Sequence, residues 1–310
     1  MKTISQIAEA LKGFKNPPAA ETSGRVAVQI TGDPPQPDRL PYAFNVGLDF
    51  GTAFSKCILR DIRQNRASLV AFNIDGEQVF LAPSEVYLDG DALRTPLDGA
   101  ANDSSGIGSL KMALYATVRE SRGDSWLLDV ARHWPADDEA TLYCKVEALV
   151  IFYLAAIIRH CRTVLLAQRP DFGKHKGDAF SVNMAVPVAH AEDGEEVFAE
   201  CLNRAWRLAH DGPAGPMSLE ELLAAVNMFR GGAAEHFCAI YPEVSANVQA
   251  YIQSRSAGSG GLFMFVDVGA GTVDASTFIY WPAAQDGKTF SYLSAEDPTR
   301  LVANRIASCG

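Results

Sequence analysis

Positive charge is scarce in this sequence: 27 lysines and arginines stand against 37 aspartates and glutamates, a formal net charge of −10 over 310 residues. Without a basic face, a sequence-independent grip on nucleic acid or on an anionic membrane is not expected. Any phosphate the chain binds must be held otherwise. Cysteine is sparse as well, with six scattered residues, no C-x-x-C pair and no secretory pattern in "MKTISQIAEALKGFK"; the expectation is a reduced, cytoplasmic protein. Long apolar runs are missing too. "ALVIFYLAAII", from Ala148, is bracketed by Lys145, Glu147, Arg159 and His160, falls short of the roughly 20 residues that span a bilayer, and predicts a buried helix. The histidines show no metal spacing, so His133, His160 and His236 are expected at the surface or satisfied in the core. No G-x-x-x-x-G-K-[ST] motif occurs, which excludes a P-loop.

What is present is apolar residue in quantity: 48% hydrophobic and 21% charged, enough for a substantial core and about two domains. Residues 1–43 combine a short amphipathic stretch (Ile4, Ile7, Leu11) with "NPPAAETSG" and "GDPPQPDRLP", whose prolines forbid continuous helix or central strand; they read as a helix and a flexible tether. "AFNVGLDFGTAFSKCILRD" alternates with a period of two on both sides of Gly51-Thr52, as a strand, a tight turn and a returning strand do. Further strands follow, with turns at Asp75-Gly76 and Asp89-Gly90. A helix is predicted over 141–166, a buried strand from Phe180, a helix capped by Asp193 that ends near Gly212, and another with Ser218 and Glu221 as a capping box and Gly231 as its stop. Strand returns at "GLFMFVDV". The order predicts an α/β fold with a mixed sheet. Asp61, Glu85 and the run Asp137-Asp138-Glu139 read as exposed polar residues.

The chemistry is concentrated in a short internal repeat. Laying "VGLDFGTAF" over "MFVDVGAGT" brings Asp49 onto Asp267, Gly51 onto Gly269 and Thr52 onto Ala270. Each unit suits a phosphate: glycine lets the backbone approach closely, successive turn N–H groups point at an anion, and threonine hydroxyls add donors. The aspartate ending each strand supplies a carboxylate for Mg²⁺, which takes one or two protein carboxylates and keeps several waters. A dinucleotide fingerprint fails, because β-type alternation follows each turn where a helix is needed.

These residues resemble the superfamily of actin, the sugar kinases and the 70-kDa heat-shock ATPases, and within it the heat-shock (DnaK-type) chaperones. "GLDFGTAFS" looks like their first phosphate motif and "FVDVGAGTVDAS" like their second. "APSEVYLDGD", "VNMAVPVAHAEDGEEVFAECLNRAWRLA" and "EVSANVQAY" are similar to colinear family segments between about Phe44 and Tyr280. The resemblance implies duplicated ribonuclease-H-like lobes: a first lobe over 44–210, a family-specific insertion over 211–242 that contains "HDGPAGPMSLEELLAAVNMFRGGAA", and the start of a second lobe over 243–310, cut short in a fragment. It implies ATP or ADP with Mg²⁺ as cofactors and Mg²⁺-dependent ATP hydrolysis. Asp49 and Asp267 would hold the metal's water shell, with Glu243 as a third carboxylate. Gly51, Thr52 and Ala53 would meet the phosphates from one lobe, and Gly269, Ala270, Gly271 and Thr272 from the other. Asp274 would place the attacking water, and Lys111 in "GSLKMAL" is the candidate for the family's lysine. The implied partners are nucleotide and a protein client or co-chaperone.

Two alanines depart from the pattern. Ala53 stands where these chaperones place a second threonine, so weaker phosphate contact is expected. Ala270 stands for a glycine and costs on the order of 1 kcal/mol if its φ is positive. Two alternatives share the superfamily: a sugar-type kinase, which needs a carboxylate base in the cleft, and a non-catalytic actin-like scaffold, which Ala53 would suit.

Overall fold

The computed structural model describes residues 37–99, 105–119, 125–135, 138–186, 188–231, 237–243, 261–270 and 273–280. In chain order, β1 (Ala43–Phe50), β2 (Phe54–Asp61), β3 (Arg66–Leu69), β4 (Phe72–Ile74), β5 (Glu77–Val79), β6 (Ala82–Pro83), β7 (Val86–Asp89), β8 (Ala92–Arg94) and β9 (Ser105–Ile107) precede three helices, α1 (Leu110–Val118), α2 (Ser125–His133) and α3 (Glu139–Gln168). Then come β10 (Ala179–Val186), α4 (Val188–Asp211), β11 (Met217–Ser218), α5 (Leu219–Met228), β12 (Cys238–Pro242), β13 (Gly261–Val268) and β14 (Val273–Tyr280). The fold is mixed α/β, with five helices among the described residues.

The main sheet runs β12-β10-β1-β2-β3, with β6 also paired to β2. β1, β10 and β12 are mutually parallel, and β2 and β3 are antiparallel to their neighbours. A second, four-stranded sheet runs β11-β8-β7-β9, and β4–β5 and β13–β14 are separate pairs. The expected turn at Asp75-Gly76 joins β4 to β5 with φ of 52° and 83°, the paired positive values of a primed hairpin turn.

Alternation decides which face of the main sheet is covered. Phe44, Val46, Leu48 and Phe50 of β1, Cys57 and Leu59 of β2, and Val182, Met184 and Val186 of β10 are all buried on the side packed by α3 and α4. Phe50 meets Tyr153 of α3 with ring centroids 5.9 Å apart. The alternate positions of β2, from Phe54 to Arg60, are exposed. The run from Ala148 is the middle of the 30-residue α3, which packs against α1, α2, α4 and α5. By length and composition α3 could also span a bilayer, with mean hydropathy 1.8, yet 61% of that window is buried inside the protein.

Several sequence expectations shift. Asp193 lies inside α4, which starts at Val188; Gly194 is a packing residue, and an added Cβ would come within 3.3 Å of Val118 on α1. The capping box is as expected: Ser218 donates its amide to Glu221 Oε2 at 2.8 Å, and Glu221 donates its amide to Ser218 Oγ at 3.2 Å. The helix it opens stops at Met228, short of Gly231. Segment 211–242, set apart by its sequence as an insertion, supplies β11 to the second sheet and β12 to the main one, with Val182 paired to Cys238 and Val186 to Pro242. The tether's last residues are anchored: Arg39 donates to both carboxylate oxygens of Asp178 at 2.7 Å and to Asp171 at 2.6 Å.

Of the acidic groups expected at the surface, Asp61 and Glu85 are drawn inward, while Asp138 is exposed as expected and has a structural partner as well. Asp61 is buried and accepts the amides of Arg63 and Gln64 at 3.0 Å. Glu85 accepts the Tyr87 hydroxyl, and burial together with that carboxylate pushes the Tyr87 phenol up. Asp138 caps α3 by accepting the Thr141 amide at 2.7 Å, which holds its carboxyl below the usual value. His160 is a satisfied core residue, 2.8 Å from the Ala71 carbonyl oxygen and stacked on Phe72. His236 and the glycines of "SAGSGG" lie outside the described residues.

Candidate functional site

Parallel strands present their carboxyl ends on one edge, and in open α/β sheets that edge is where ligands are received. Here β1 ends at Asp49-Phe50, β10 at Val186 and β12 at Pro242, with Asp49 in register with Ala185, and Val186 with Pro242. Glu243 follows directly. Asp49 and Glu243 therefore stand on the same edge, two strand spacings apart across the sheet, or about 10 Å.

Lys111 reaches this edge from α1. Its side chain is almost fully buried, and its Nζ lies 3.6 Å from Glu243 Oε2. The placement is costly twice over. A buried ammonium loses hydration, and the first turn of a helix repels cations through the helix dipole. Ser109, which precedes the helix, holds a left-handed φ of 55°, a conformation that stores strain in a non-glycine residue. The pairing with Glu243 offsets part of that cost.

The turn between β1 and β2 is held by its own backbone. An added Cβ on Gly51 would strike the Phe54 carbonyl oxygen, so glycine is required there for close approach. Ala53 accepts the Ser84 amide at 2.9 Å, and Ser55 Oγ and Ser84 Oγ lie 2.9 Å apart beneath it. Thr52 is half-buried within this braced loop. Asp49 pairs with Lys56, directly opposite on β2, at 2.8 Å. Ser84 and Lys56 do not stand out in the sequence; Lys56 could have been found by counting across the hairpin, while nothing in the sequence marks Ser84 as a brace.

In the second hairpin, Asp267 and Asp274 are directly opposite in register. Gly269 and Ala270 are exposed in the connecting turn, and Gly271 and Thr272 lie outside the described residues. Among the described residues only Asn65, Asp75 and Ser109 are non-glycines with positive φ, so Ala270 carries no left-handed strain. Of the residues singled out by sequence, Lys111 and Glu243 are brought into one ion pair. Asp49 shares their edge through the register of the sheet but is paired with Lys56.

No group of three His, Cys, Asp or Glu side chains that could hold a metal is present among the described residues. Asp49 and Glu243, each facing an ammonium, do not form a protein cage. A Mg²⁺ ion that keeps most of its waters needs only one or two protein carboxylates. In comparisons with known proteins, the chain matches no family model and no curated protein sequence.

Proposed function

We propose that this chain is an ATP-binding and ATP-hydrolysing nucleotide-binding module of the heat-shock-70 type, dependent on Mg²⁺ and coupling its nucleotide state to a protein client or co-chaperone. The observation that carries the proposal is the buried Lys111–Glu243 pair at the carboxyl edge of the parallel strands, 3.6 Å between Nζ and Oε2. A main sheet of antiparallel β3, β2 and β1 continued by parallel β10 and β12 supports a ribonuclease-H-like first lobe. β13 and β14 would open a second lobe of the same kind.

In this reading Gly51 and Thr52 offer backbone and hydroxyl donors to the β and γ phosphates, and the bracing at Ala53 and Ser84 keeps those donors aimed before the ligand arrives. Lys111 places a fixed charge beside the transferred group, with Glu243 orienting it. Gly269, Gly271 and Thr272 act from the second hairpin, and Asp274 positions water. Asp267 and Asp274 occupy directly opposed positions in the register of that hairpin. When bound, Mg²⁺ supplies neutralisation of phosphate-oxygen charge; Asp49 and Asp267 would hold its waters.

The test is Mg²⁺-dependent ATP turnover with titration calorimetry. Lys111→Met is expected to lower turnover about 100-fold, roughly 2.7 kcal/mol of transition-state stabilisation. Asp267→Asn is expected to abolish most of it. Failure of the unmodified protein to bind Mg-ATP, or turnover untouched by Asp267→Asn, would sink the assignment.

A further inference from the structure

At the amino-terminal end of β10, the opposite end of the sheet from Asp49 and Glu243, the last turns of α3 and α4 and the segment leading into β10 enclose a cavity of about 40 Å³. Its polar lining includes Arg162, His175, Lys176, Asp178 and His210, with Trp206 as a wall. In a chain of net charge −10, this lining is locally cationic. Asp178 is its one carboxylate, and both oxygens are occupied. Arg39 donates to each at 2.7 Å, and the amides of Tyr42, Gly173 and His175 donate at 2.8, 2.8 and 3.2 Å. Arg162 is half-buried and has no hydrogen-bonding or ionic partner among the described residues. A partly desolvated guanidinium facing a cavity whose one carboxylate is already taken by Arg39 is a cost that an anion would remove.

The remaining groups are fixed. The Gly177 amide donates to His175 Nδ1 at 2.9 Å, so the proton of the neutral ring sits on Nε2, where it can be donated. His210 Nδ1 lies 2.9 Å from the Trp206 carbonyl oxygen; a carbonyl only accepts, so that nitrogen carries a proton. Trp206 is held between Phe180 and Phe237, with centroids at 5.5 and 5.9 Å, and against His210 at 4.2 Å. Asp178, gathering the amides of Gly173 and His175, holds the segment that carries His175 and Lys176. The cavity is small against the roughly 300 Å³ or more of a drug-sized ligand pocket, so it admits an anionic head group and not a nucleoside.

We propose that this cavity is an oxyanion site that takes a phosphate group, free or esterified. The Arg162 fork and the Lys176 ammonium supply charge, and His175 Nε2–H supplies a further donor. The site is separate from the edge that carries Lys111 and Glu243, and it stands whether or not that edge binds nucleotide.

The test is a titration of the full chain with sodium phosphate, followed by the imidazole proton resonances of His175 and His210, at an ionic strength held constant with sodium chloride. The expected result is a saturable shift of both resonances, with affinity reduced at least tenfold in Arg162→Gln and reduced as well in Lys176→Gln. Because Arg162 has no partner to lose among the described residues, Arg162→Gln should keep the wild-type circular dichroism and melting temperature. Phenyl phosphate, run in parallel, separates the sources: binding at least tenfold tighter than inorganic phosphate points to an esterified phosphate, and equal binding points to the free anion. No shift, or a non-saturating shift that persists unchanged in both variants, overturns the proposal.

Discussion

The two strand-turn-strand units share a sequence pattern but not a setting. β1–β2 lies inside a six-stranded sheet; Phe44, Val46, Leu48 and Phe50 are buried, and its turn is tied to Ser84. β13–β14 pairs with no third strand among the described residues, and Leu262 and Val268 are each 74% exposed. A lone two-stranded hairpin is marginal in water. The same pattern is therefore stable in one place because neighbours cover its apolar face, and in the other it presents that face to solvent. Motif likeness reports what a turn can bind; it does not report what holds the turn.

Substitution in the two units is the most direct way to break this contrast. Phe50→Ala empties a fully buried ring site against Tyr153 and is expected to cost about 3–5 kcal/mol. Leu262→Ala should stay within about 0.5 kcal/mol, as exposed positions do. Urea unfolding of both variants provides the measurement. A cost for Leu262→Ala approaching that of Phe50→Ala would mean that the second hairpin is packed after all.

The entry into β1 sharpens the comparison next. Burial raises the Asp178 carboxyl, but Arg39 and the amides of Tyr42, His175 and Gly173 outweigh it, leaving the group below its ordinary value. A depressed folded value contributes stability that is present above the unfolded pKa near about 3.9 and lost as pH falls through the folded one. Arg39→Ala is expected to cost about 3 kcal/mol at neutral pH by leaving a buried carboxylate without its partner. As pH falls below about 3.9 the deficit of the variant should shrink. A variant whose deficit is the same at pH 3 and pH 7 would show that the Arg39 clamp does not stabilise the fold through Asp178 ionisation.

Much of this architecture was legible in the sequence where it rests on local periodicity. The alternation around Gly51, the apolar run of α3 and the Ser218–Glu221 box each depend on neighbours a few residues away. What was not legible depends on tertiary contact. Asp61 looks like a surface acid until the amides it accepts are seen, and the pairing of β12 with β10 carries no local signal. At the candidate site, Lys111 could be singled out by sequence, but its burial against Glu243 could not, because the two meet only when α1 and β12 reach the same edge. Arg162 and His175 carry no motif at all; only the fold brings α3, α4 and the approach to β10 around one cavity.

A smaller contrast lies in the turns themselves. Gly51→Ala forces a Cβ against the Phe54 carbonyl oxygen, and because backbone atoms cannot swing away as a side chain can, a cost of about 1–3 kcal/mol is expected. The equivalent exchange in the second unit runs the other way. Ala270 has no positive φ to relieve, so Ala270→Gly gains no strain energy and loses only the alanine's lower unfolded-state entropy, about 0.4–1 kcal/mol at most. Thermal melts of the two variants should therefore differ clearly, with Gly51→Ala the lower. A stabilising Ala270→Gly would show that the second turn needs glycine as the first one does, and the two hairpins would then differ in covering alone, not in the geometry of their loops.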